Sequence, residues 1–166
     1  MVVEHAVWML GNISGNSSEY RDMVISHGIV DSLLGLLVRV GLPITLLRSI
    51  VWVFLNLVRE SPVALDVAQK LVPTLAQHLT FRDISMQITA LWALRYIADC
   101  GDDYIQIIID SNIIPLDIPF ISNRRNLIQM AKKLISNTYV VYHMTADELA
   151  ILYNVIPGLR RQSITE

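Results

Sequence analysis

Three tryptophans in this chain recur with a polar partner four residues on: Trp8 with Asn12, Trp52 with Asn56, and Trp92 with Tyr96. The tryptophans stand 44 and 40 residues apart. A second marker keeps stricter time. Val72-Pro73, Ile114-Pro115 and Ile156-Pro157 follow one another at 42 residues, and Val30-Asp31 lies 42 before the first. Residues four apart share one face of a helix. If the units stack, each tryptophan and its partner therefore recur along one face of the stack, as a ladder of groups able to hold a ligand.

Within each period the pattern reads as helices. Val2 to Gly15, Glu19 to Ser26, Ile29 to Val38 and Ile44 to Glu60 carry helical periodicity, broken at Asn16-Ser17-Ser18, His27-Gly28 and Gly41-Leu42-Pro43. The order of short, medium and long helix then repeats. Val63 to Lys70, Val72 to Leu79 and Ile84 to Cys100 form one set, and Asp103 to Asp110, Ile114 to Phe120 and Asn126 to Val140 the next. Thr145-Ala146-Asp147-Glu148 has capping-box spacing, and Ile156 to Arg161 reads as the stub of a further helix. A period of about 42 residues with two or three helices per unit predicts an all-α armadillo or HEAT array. The expected architecture is a right-handed superhelical solenoid with the long helices lining its concave face. Residues 1–166 are expected to form one domain, with a partial repeat over 1–40 and full repeats over about 41–80, 81–121 and 122–166, both ends truncated.

Of the 166 residues, 53% are hydrophobic and 17% charged, which favours a packed core over disorder. The one cysteine, Cys100, excludes an internal disulfide framework. The apolar stretch Leu33 to Val58 is interrupted by Arg39, Gly41, Pro43 and Arg48, so it reads as buried helices rather than a membrane span. No secretory signal precedes it, and the acceptor-like Asn12-Ile13-Ser14 and Asn16-Ser17-Ser18 are treated as chance. Residues 1–120 hold 7 basic and 12 acidic side chains, net −5, whereas 121–166 are net +3. An acidic ladder argues against nucleic acid and suits a basic ligand.

The segments Glu4 to Gly15 with Glu19-Tyr20-Arg21-Asp22, Leu47 to Trp52 running to Asn56-Leu57-Val58-Arg59, and Leu91 to Asp99 resemble the importin-α (karyopherin-α) family. The likeness is close over about residues 2–121, and Lys133 with Asn137 fits a fourth rung. It implies a nuclear-import adaptor of cytoplasm and nucleus, binding basic nuclear localisation signals in the concave groove. No cofactor, metal, catalytic group, nucleic acid or membrane is implied, and importin-β would be a partner only through a further N-terminal segment. The implied peptide contacts are Trp8, Asn12, Gly15, Asn16, Ser49, Trp52, Asn56, Trp92, Tyr96 and Asn137.

The residue chemistry agrees with that implication. An Asn amide offers donor and acceptor together, as an extended peptide backbone requires. Indoles form slots for the aliphatic stems of Lys or Arg, with cation–π attraction of about 0.5–2 kcal/mol each. Acidic groups at the rim would meet the ammonium heads. This chain departs from the family at Asn16 and Thr89, where the family carries Asp, and at Ser49, where it carries Asn; Glu4 and Asp99 remain acidic. The alternative is therefore a degenerate relative, an interaction scaffold with weakened signal binding.

Other clusters read as structural. His5, His27, His78 and His143 show no metal spacing, Asp102-Asp103 reads as a helix cap, and Arg124-Arg125 with Lys132-Lys133 as a solvated face. A ligand groove requires Trp8, Asn12, Trp52 and Asn56 to be partly exposed. Val3, Val7 and Leu10, and likewise Ile151 to Leu159, are expected to form uncovered patches that leave the chain marginally stable or self-associating through its ends.

Overall fold

The computed structural model describes residues 2–60 and 62–111. They form seven helices: α1 (Val2–Ser14), α2 (Ser18–Ser26), α3 (Ile29–Leu37), α4 (Ile44–Arg59), α5 (Leu65–Leu79), α6 (Ile84–Ala98) and α7 (Asp102–Asp110). The helices expected beyond Ser111, and with them the repeat over 122–166, lie outside the described residues. No strand occurs among the described residues. Ile105, in an isoleucine-rich run of strand-like propensity, is buried within a helix. Burial of an apolar face decides over local preference.

Local chemistry sets several boundaries. Ser17 caps α2 by accepting from the Tyr20 amide at 3.3 Å. Gly28, at φ 79°, then turns the chain directly into α3. Asp83 caps α6 by accepting from the Met86 amide at 2.8 Å. One boundary differs from expectation. Val63 to Lys70 and Val72 to Leu79 are not two helices: α5 runs unbroken from Leu65 to Leu79 with Pro73 inside it. Proline there removes one helical donor. Leu71, Val72 and Leu75 are nevertheless fully buried, and no glycine stands where Gly28 breaks the preceding unit. Core packing holds the two segments in one line.

Packing follows two layers. The three tryptophan-bearing helices lie side by side, α1 on α4 and α4 on α6. Behind them α2 packs on α3, α3 on α5, and α5 on α6 and α7. Ile50, Phe54 and Leu57 of α4 meet Leu71, Leu75 and Leu79 of α5 and Leu94 and Ile97 of α6 in one continuous, solvent-free core. Helix α1 is sided differently from expectation. Val7 is buried with Gly11 and Ser14, and Leu10 is half-buried against the core. Of the three expected, Val3 is exposed, and the other exposed apolar side chains of α1 are Val2, Trp8, Met9 and Ile13. The stripe through Val7, Gly11 and Ser14 is covered by neighbouring helices, and its start at Val3 is not.

His78 is the buried titratable group of α5. Its ring stacks on Phe81 with centroids 5.4 Å apart, and Nδ1 lies 2.7 Å from the Thr74 carbonyl, which places the proton on Nδ1 of a neutral ring. Burial holds its pKa below the ordinary 6.5, outweighing the Thr74 bond, which raises it. The folded pKa thus lies below the unfolded one. The contribution is complete above about pH 6.5 and is lost as pH falls through the folded value. The urea midpoint should therefore drop between pH 7 and pH 5, and His78→Phe should flatten that drop. An equal drop in the variant would exclude His78 as its source.

Candidate functional site

The ladder is built where α1, α4 and α6 lie side by side. Trp8 on α1 is 55% exposed, and Trp52 and Trp92 are half-buried. Between the first two opens a cavity of about 260 Å³. Helix α1 contributes Trp8 to its wall, α4 contributes Arg48, Ser49 and Trp52, and α6 contributes Ser85, Met86 and Thr89. The Ser49 and Thr89 hydroxyls donate to carbonyls of their own helices, at 3.0 and 2.8 Å. The wall is thus aromatic and neutral-polar, with one cation.

That cation is paired. Arg48 Nη2 and Nε lie 2.6 and 3.0 Å from one oxygen of Asp83. The hydrogen bond from Arg48 is the main reason the Asp83 carboxyl is held below its usual range. The other Asp83 oxygen caps α6. Acidic groups expected at the rim do not line this cavity; Glu4 lies one helical turn before Trp8, and Asp99 pairs with Arg95 at 3.2 Å.

The two asparagines serve different ends. Asn12 is exposed, and its Nδ2 donates to the Trp8 carbonyl at 3.1 Å. Asn56 is 4% exposed, contrary to expectation, and its Nδ2 donates to the Gly11 carbonyl at 3.0 Å. The physical cause is close approach. A Cβ on Gly11 would stand 2.7 Å from Cε3 of Trp52 and 3.1 Å from Cγ2 of Val53, and one on Gly15 would meet Asn56 Cγ at 3.2 Å. Without those side chains α4 presses onto α1 and its amide reaches the carbonyl. Arg59 Nη2 adds a 2.6 Å bond to the Gly15 carbonyl. The Gly11 carbonyl also accepts the Gly15 amide at 3.0 Å, so Asn56 is a second donor there, while Arg59 meets the carbonyl just past the end of α1, where a cation also suits the helix dipole.

The third rung differs again. The Trp92 and Tyr96 rings lie 6.2 Å apart at 33°, with the Arg95 guanidinium 5.2 and 5.5 Å from their centroids. Asn16 is exposed just beyond the half-buried Gly15, and Asn137 lies outside the described residues.

The family model for the armadillo/β-catenin-like repeat matches residues 66–99, which span most of α5 and all of α6. Importin subunit alpha-2 of Arabidopsis thaliana is 33% identical over 115 residues, 69% of this chain and 21% of that protein. Importin subunit alpha-2 of Caenorhabditis elegans is 32% identical over 139 residues, 82% of this chain and 26% of that one. The repeats are armadillo repeats, similar in sequence to those of importin-α subunits. The chain spans about a fifth to a quarter of the length of these relatives. Among solved structures, a designed armadillo repeat protein in complex with the peptide (KR)4 superimposes with a TM-score of 0.62 at 19% identity, covering 93% of this chain and 74% of that one. An engineered protein gives a TM-score of 0.65 at 19% identity, over 94% and 66%. Both show the fold.

In this armadillo array the sequence alone singled out the tryptophans and their partners but missed Gly11, Arg48, Arg59 and Arg95. The signal for Gly11 was present. It stands four residues before Gly15, which clears one face of a helix that otherwise carries large side chains.

The close approach can be tested. Gly11→Ala should destabilise the array by about 1–3 kcal/mol, because the added methyl overlaps the Trp52 ring. Gly35, in α3, has nothing within 4 Å of an added Cβ, so Gly35→Ala should stabilise by about 0.5–1 kcal/mol. Urea denaturation of both variants checks the pair, and an equal effect would show that α1 and α4 do not meet at Gly11.

Proposed function

We propose that this chain is an importin-α-type adaptor segment, a binding protein and not an enzyme. It takes an extended basic peptide of the nuclear-localisation-signal kind across α1, α4 and α6 and works between cytoplasm and nucleus. The observation that carries the reading is the open slot between Trp8 and Trp52, which reaches Ser85 and Thr89 of the third ladder helix. Such a slot suits the aliphatic stem of Lys or Arg, with indole faces attracting its charged end. Asn12, exposed beside Trp8, offers the peptide backbone an amide. Support comes from the importin-α relatives and from the armadillo fold shared with a designed protein in complex with the basic peptide (KR)4. No helix among the described residues is long and apolar enough to cross a membrane.

A second reading, an interaction scaffold with weakened signal binding, is favoured by two observations. No carboxylate lines the slot, and the Asn56 amide is engaged by Gly11.

Titration with a lysine-rich peptide at two salt concentrations separates the readings. Under the adaptor reading the unaltered chain binds. Asn16→Asp tightens binding by about fivefold at low salt, the upper end for an exposed charge pair. Thr89→Asp in the same chain tightens it further, and both gains shrink as salt rises. Binding that appears only in the doubly acidic variant supports the scaffold. Affinity indifferent to both substitutions would mean that the peptide does not run past these positions.

A further inference from the structure

The third rung differs from the other two in carrying its own cation. Trp92, Arg95, Tyr96 and Asp99 stand at helical positions i, i+3, i+4 and i+7 of one surface at the end of α6. The Arg95 guanidinium lies over both rings, at 5.2 and 5.5 Å, and one of its terminal nitrogens is 3.2 Å from Asp99. Its Nε is buried, with no hydrogen-bond partner among the described residues. The side chain as a whole is only 22% exposed. Two aromatic faces and a carboxylate are the groups that would recognise an incoming Lys or Arg. Here they are already engaged by Arg95. The positions three residues after the other two tryptophans are Gly11 and Leu55, which bring no charge.

We propose that Arg95 is a specificity-determining residue of the ladder. By filling the cation site of Trp92, Tyr96 and Asp99 it withholds the third rung from basic side chains. Basic-peptide recognition is thereby confined to the slot between Trp8 and Trp52. The inference rests on the peptide-binding reading only in its second half. That the aromatic site is filled from within is a separate matter and can be probed without any peptide.

The experiment uses the whole 166-residue chain. It compares the unaltered protein with Arg95→Ala and with Arg95→Gln, which keeps most of the aliphatic stem and its packing should the alanine variant fold poorly. In the first arm, methylguanidinium is titrated while the Trp92 indole N–H resonance is followed by NMR. The resonance should move in Arg95→Ala, move less in Arg95→Gln, and stay still in the unaltered protein. In the second arm, a lysine-rich peptide should bind Arg95→Ala about tenfold tighter at low salt, and Asp99→Asn in that background should remove most of the gain.

Equal methylguanidinium responses in all three proteins would overturn the inference. Peptide binding of unchanged strength across the three would overturn the filter while leaving the peptide-binding reading intact. If no protein binds the peptide, yet the indole responds only in the variants, the internally filled site stands and the peptide-binding reading fails.

Discussion

The structure depends on how closely α4 can approach α1. Stacked helices end in carbonyls that their own turns cannot satisfy. Here the neighbouring helix meets that need at Gly15, through Arg59, and adds Asn56 as a second donor to the Gly11 carbonyl, which also accepts the Gly15 amide. Both bonds require short reach, and short reach requires Gly11 and Gly15. The Gly11 carbonyl keeps the Gly15 amide as a partner, so the Asn56 bond is worth about 0.5–1.5 kcal/mol, as an ordinary hydrogen bond is. The same contact fixes the Trp52 ring against the Gly11 backbone, so one wall of the slot is held by packing while Trp8 stands open opposite. Fold and candidate site thus share one set of atoms.

A regular ladder in sequence becomes three unlike rungs in space. Asn12 is exposed, bonded to its own helix; Asn56 is a buried tie between helices; Tyr96 is one of two rings around an internal guanidinium. The register is the same each time, and the neighbours differ. Where the adjoining helix is cleared by glycine, the amide is drawn into the interface. Where residue i+3 is arginine, the aromatic pair is closed by its own cation.

This explains what could be read from the sequence. The period, the helical class and the face carrying the tryptophans follow from spacing, because spacing alone decides which side chains share a helix face. The expected break near Lys70-Leu71 failed because the continuity of α5 depends on burial of Leu71 and Val72, a tertiary fact. The exposure expected of Asn56 failed because an amide donates to the nearest acceptor. Which acceptor is nearest depends on a residue 45 positions away. Val7 was placed on the right stripe but the wrong side: periodicity groups residues without saying which neighbour they meet.

The acidic character of the ladder region also reads differently once partners are known. Asp83 holds Arg48, Asp31 holds Lys70, Asp22 holds Arg21 and Asp99 holds Arg95. These four carboxylates are engaged within the array and none lines the slot, so the negative net charge does not translate into a line of acids facing it. On the proposed function, attraction of a basic peptide to that slot comes from indole faces and hydroxyl dipoles at short range, with the overall field acting only at longer range and screened by salt. A groove of this kind discriminates more by the shape and length of an aliphatic stem than by its charge. That property is compatible with both a weakened signal receptor and a scaffold for a less basic partner, and it follows from which cations the chain already supplies to itself.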